Sequence, residues 1–106
     1  MTDRAALLGA LEAAAGELPD ATEVSAADGS TAWTRAGARF AVLQDAAVDL
    51  RVGAAIAAAA TRTPDTSAST LGPDWVAFVP PELDDHASDR LRAWFAAAHR
   101  RASSGD

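Results

Sequence analysis

Two histidines, a run of carboxylates, seven serines and nine arginines are the groups in this 106-residue chain that could do chemistry. His86 and His99 stand thirteen positions apart in one predicted helix. At about 100° per residue they fall on roughly opposite faces, so one chain cannot bring both to a metal, and each reads as a surface histidine. Glu82, Asp84, Asp85 and Asp89 could hold a divalent cation. They also crowd the start of that helix, where carboxylates are favoured with no ligand at all, and this second reading carries more weight. None of the serines sits in a G-x-S-x-G elbow, and no glycine-rich loop is shaped to cradle phosphate. With no cysteine there is no thiolate nucleophile, disulfide or cysteine-based zinc site. No catalytic residue, metal ligand or cofactor is therefore expected.

The charge balance narrows the partners. Nine arginines and no lysine stand against fifteen acidic residues, a formal net charge of −6. Nucleic-acid binders usually carry a basic stripe, because phosphate contacts dominate their affinity. Here the sole basic cluster, Arg100-Arg101, sits where a helix C-terminus attracts cations. Nucleic acid is accordingly an unlikely partner. No apolar run approaches the ~20 residues that span a bilayer, so no membrane partner is expected. No export signal opens the chain, and a cytoplasmic location follows as an expectation.

These residues must be positioned by a small domain. Of 52 apolar residues 29 are alanine, so only 23 larger ones remain to fill a core. Residues 3–18 read as a helix with Thr2 as N-cap and Leu7, Leu8, Leu11, Ala15 and Leu18 on one face. The period then changes from helical to alternating. Residues 21–25, 31–35 and 38–43 read as strands, punctuated by Asp28-Gly29 and Ala36-Gly37. Val48-Asp49-Leu50-Arg51-Val52 is the clearest strand, with three apolar and two charged side chains in strict alternation. Residues 53–60 suggest a short helix anchored by Ile56, and 61–73 the longest loop and the most mobile segment. A buried strand over 75–79 follows, then a helix over 84–101 with Ala87, Leu91, Trp94, Phe95 and Ala98 as its apolar stripe. Short connections make the strands antiparallel. The expected fold is α+β: a two-layer sandwich, with four to five antiparallel strands and the N- and C-terminal helices on one face. Residues 1–102 form this single domain, and 103–106 a disordered tail.

The other face of the sheet is then the candidate site. If Val48, Leu50 and Val52 point to the helices, Asp49 and Arg51 point away; if Phe40 and Val42 point inward, Arg39 points outward. Alternation leaves the side of Trp33 and Trp75 open. Facing outward, they would join Arg35, Arg39 and Arg51 in a patch of the residue types that carry binding energy at interfaces. Facing inward, they are core, which a chain this poor in large side chains can hardly spare.

Some strings resemble a known family. Ala36-Gly37-Ala38-Arg39-Phe40-Ala41-Val42-Leu43, then Val48-Asp49-Leu50-Arg51 before a helix, then Asp74-Trp75-Val76, are similar to the MmcQ/YjbR-like family of small bacterial proteins. That resemblance covers roughly residues 31–100 and implies a fold of the frataxin (CyaY-like) type. Its members are often labelled DNA-binding. The chain departs from the family at Gly72-Pro73-Asp74, where a basic residue is usual, and at Ala97-Ala98-His99, where a Ser-Tyr pair is usual. The Val-Asp-Leu and Trp-Val strands also resemble small luciferase-like domains, without their histidine-bearing strand. Frataxin's acidic first helix has no counterpart in Asp3, Glu12 and Glu17. The expected function is a non-enzymatic interaction protein, monomer or homodimer, that binds another protein through Trp33, Arg35, Arg39, Arg51 and Trp75. The alternatives are a small-molecule binder or enzyme, with a pocket between the 61–73 loop and the last helix near His86, and a DNA-binding protein.

Overall fold

The computed structural model describes residues 3–102. Three helices and six strands follow one another as α1 (Arg4–Gly16), β1 (Thr22–Ser25), β2 (Thr31–Arg35), β3 (Ala38–Gln44), β4 (Ala47–Arg51), α2 (Ala54–Ala60), β5 (Thr66–Ala68), β6 (Trp75–Phe78) and α3 (Asp85–Ala102). The strands form one antiparallel sheet in the order β1-β2-β3-β4-β6-β5. The architecture is the expected α+β sandwich. Its sheet has six strands rather than four or five, because β5 forms inside the segment read as a loop. Thr66-Ser67-Ala68 shows no apolar alternation, and pairing with β6 is what makes it a strand.

Local chemistry sets the element boundaries. Asp3 caps α1, its Oδ1 accepting from the Ala6 amide at 2.8 Å; Thr2, the expected cap, lies outside the described residues, as does the tail over 103–106. Ala36 and Gly37 both adopt positive φ, 53° and 83°, which is the geometry a two-residue hairpin loop needs. Asp84 caps α3 by accepting from the Ala87 amide at 2.8 Å.

Helices α1 and α3 pack together and lie on one face of the sheet. That face carries Trp33, Leu43, Val48, Leu50, Val76 and Phe78, all buried. Phe95 of α3 meets Trp33 and Phe40 edge to face, at 5.8 and 5.2 Å between ring centroids. Trp94, its neighbour, is only half-buried; it sits against Phe78 at 5.2 Å, with the Arg90 guanidinium 5.0 Å from its ring.

One irregularity changes the expected facing of side chains. Trp33 pairs with Ala41, yet Thr34 pairs with Arg39, so Phe40 is an extra residue in β3. Phe40 and Ala41 both reach the core, and the parity of the strand flips across the bulge. Val42 therefore faces away from the helices, opposite Ala32 and Asp49, and not inward as simple alternation predicts. Arg39 still faces outward, because it lies before the bulge. Helix α2 also differs from expectation: Ile56 is 46% exposed, and Ala57 and Ala60 are the buried residues that pack it toward β5 and β6. Alanine serves there because it lets the helix approach closely.

Candidate functional site

Three of the five residues proposed from sequence meet on the face opposite α1 and α3. Arg51 and Trp75 are direct partners in the β4–β6 register, so their side chains share a face. Arg39 comes from β3, with its guanidinium carbon 6.0 Å from the Trp75 ring centroid, at the outer limit of a cation–π contact. Asp74 binds the group together: one carboxylate oxygen lies 3.7 Å from Arg51 Nη2 and 3.7 Å from Arg101 Nη2, which arrives from the end of α3. The pairs are partly solvated, so each stabilises little but orients the guanidinium groups.

The backbone holds this geometry. Gly53 donates to the Asp74 carbonyl at 2.9 Å and Trp75 to the Gly72 carbonyl at 3.1 Å. Gly53 and Gly72 have φ of 97° and 140°, which a side chain would strain, and a Cβ on Gly53 would come within 3.1 Å of the Arg101 guanidinium. Ser69 donates to Asp49 Oδ1 at 2.7 Å and accepts from the Leu71 amide at 3.1 Å. Thr63 and Thr66 both donate to the Ala60 carbonyl. Arg90 donates to the Pro64 carbonyl at 2.8 Å and to Thr63 Oγ1 at 2.9 Å. The 61–73 segment is thus tied at several points to α2, β4 and α3.

Two open hollows flank Trp75. One, of about 370 Å³, is lined by Arg39, Arg51, Leu71, Gly72, Pro73, Asp74 and Trp75. The other, of about 550 Å³, lies between α2 and the 68–75 segment and is walled by Ala54, Ala57, Ala58, Ala68 and Pro73. This second hollow opens beside α2, and His86 is not among its walls.

Trp33 and Arg35 do not belong to this face. Trp33 is 0% exposed; its pairing with Ala41, beside Thr31 with Leu43, puts it on the helix side. Arg35 has the same parity. Its Nη1 donates to the His99 carbonyl at 3.0 Å and lies 3.3 Å from His99 Nδ1, and Asp20 is 4.0 Å from its Nη2. His99 is not the expected surface histidine: it is 4% exposed, with Nε2 2.8 Å from the Pro19 carbonyl. A carbonyl can only accept, so Nε2 carries the proton and Nδ1 is left to accept from Arg35. Sequence reasoning missed His99, Asp74 and Arg101. Asp74 could have been flagged by its place directly before Trp75; nothing local points to Arg101, which joins through tertiary packing alone.

Among the described residues no group of three or more histidine or carboxylate side chains could hold a metal ion, and no helix is long and apolar enough to cross a membrane. Compared with known proteins, the chain matches no family model, no curated protein and no solved structure.

Proposed function

We propose that this chain is a non-enzymatic interaction domain, of the MmcQ/YjbR-like type it resembles and cytoplasmic, that binds another protein on the open sheet face around Trp75. The observation that supports this most is the convergence of Arg39, Arg51 and Trp75 from three strands onto one surface. Aromatic and arginine side chains are the anchors of protein interfaces. The small-molecule or enzymatic alternative has less behind it, since His86 lines neither hollow beside Trp75. DNA binding, which the resemblance implies, has three arginines in its favour here and a net charge of −6 against it.

The test is capture of partners from the native cell extract by the wild-type chain and by the Arg39→Glu/Arg51→Glu double variant. Specific partners should drop at least tenfold with the double variant. They should persist with Arg92→Glu, a charge reversal at an exposed position of α3. Undiminished capture by the double variant would sink the reading. A small-molecule binder is favoured instead if capture is indifferent to the variant while a metabolite raises the melting temperature.

A further inference from the structure

The two hollows beside Trp75 differ in chemistry. The end under Arg39 and Arg51 is cationic, with Leu71, 40% exposed, at its side. The end beside α2 has four alanines and Pro73 on its walls, with Thr61, Ser69 and Thr70 adding hydroxyl groups. Gly72, Pro73 and Trp75 line both, so the two hollows, together the cleft, adjoin at the tryptophan. Charge is uneven too. Arg39 and Arg51 line the cleft against Asp74 alone, one positive charge in excess within a chain of net charge −6. A local field of that sign complements an anion, whereas two copies of net charge −6 repel one another as whole molecules.

We infer that the cleft takes an extended acidic peptide segment with a large apolar side chain close to a carboxylate. The inference rests on the open-face reading above and specifies its partner. The carboxylate meets Arg39 and Arg51, while the apolar side chain crosses Trp75 into the alanine-walled end. A guanidinium binds a carboxylate through charge-assisted hydrogen bonds, and the pair is stronger where the tryptophan excludes water from one side. Both hollows are open, and a small molecule would normally be far more enclosed. An extended chain suits them better, because side chains two residues apart share one side at about 7 Å spacing. The acidic and apolar residues of the segment are therefore next but one to each other.

The experiment is an amide and indole NMR titration of the whole chain with three capped hexapeptides. The first carries one phenylalanine and two glutamates, the second lysines in place of glutamates, and the third serine in place of phenylalanine. The first peptide should shift the Trp75 indole and the Gly72 and Arg39 amides. Its affinity should exceed that of the other two at least fivefold, fall at least fivefold with Arg39→Glu, and weaken on raising salt from 50 to 300 mM. Arg39 is exposed, so this variant should keep its melting temperature. Equal binding of the lysine peptide, or shifts confined to other surfaces, would overturn the inference. So would a doubled molar mass, abolished by Arg39→Glu, since the occupant would then be a second copy. If no acidic peptide binds while the double variant still loses its protein partners, the partner chemistry is wrong and the open-face reading stands. If capture also survives the double variant, both fall.

Discussion

His99 shows how far a residue's role depends on what surrounds it. The imidazole is surrounded by Phe40, at 5.6 Å between ring centroids, the Arg35 guanidinium and the Pro19 carbonyl. It links α3 to the α1–β1 connection and to the end of β2, three segments that no local signal joins. His99→Phe keeps the ring and the burial but deletes both side-chain hydrogen bonds. Arg35 retains the His99 main-chain carbonyl, whereas the Pro19 carbonyl loses its donor. Pro19 is exposed, so water can replace that donor, and urea unfolding of His99→Phe should show the net loss of ordinary hydrogen bonds, about 0.5–1.5 kcal/mol. A variant as stable as the wild type would mean the latch contributes nothing. Arg39 is the opposite case: it is exposed, and its replacement should be felt in binding and not in stability.

At the scale of elements, two tryptophans between the sheet and its helices contribute unequally. Trp33 lies in the middle of β2, fully buried, with Phe95 against its ring. Trp94 is half-buried at the edge of the layer, with Arg90 stacked on it. Trp33→Ala should therefore cost about 3–5 kcal/mol and Trp94→Ala roughly half as much, measured by chemical denaturation. Deleting Trp33 also removes an indole N–H that is buried without an acceptor, which offsets part of the loss and favours the lower end of that range. The reverse order of the two variants would contradict this packing. The β3 bulge belongs at this scale too. It sends Phe40 into the core next to Ala41 while leaving Arg39 on the open face, so core and site depend on one extra residue in the strand.

At the scale of the whole molecule, α1 and the sheet edge are coupled through two carboxyls. Glu23 on β1 titrates above the ordinary carboxylate range, first because packing around it disfavours its charge, then because Glu12 of α1 hydrogen-bonds to it and repels its anion. The folded chain holds that proton more tightly than the unfolded one. The contribution to stability is thus present below the ordinary range and is lost as the pH rises through Glu23's raised value. Asp28, lowered by its hydrogen bonds with Ser30, has the opposite sign: its contribution is present above the ordinary range and is lost as the pH falls through its lowered value. Glu23→Gln should accordingly gain stability relative to the wild type as the pH rises from 4 to 7, read from unfolding midpoints. A difference that stays constant with pH would show that Glu12 and Glu23 do not interact.

Sequence by itself determined the class of fold and most of its elements. The alternation in Val48–Val52, the turn chemistry of Ala36-Gly37 and the apolar stripe of α3 are local signals, because side-chain direction in a regular strand or helix depends only on the backbone period. The same logic placed Arg39 and Arg51 on the open face. Tertiary structure decided what the period cannot carry. A three-residue strand with no apolar pattern, β5, exists because β6 offers its edge. A bulge reverses the facing of Val42. Trp33 goes to the core and Trp75 to the surface, because each follows the register of the strand beside it. Arg35 and His99 pair across 64 positions, and Arg101 reaches Asp74 from the far end of the chain. Register and long-range pairing are set by the closure of the whole sheet against its helices, and no short stretch of sequence encodes that closure.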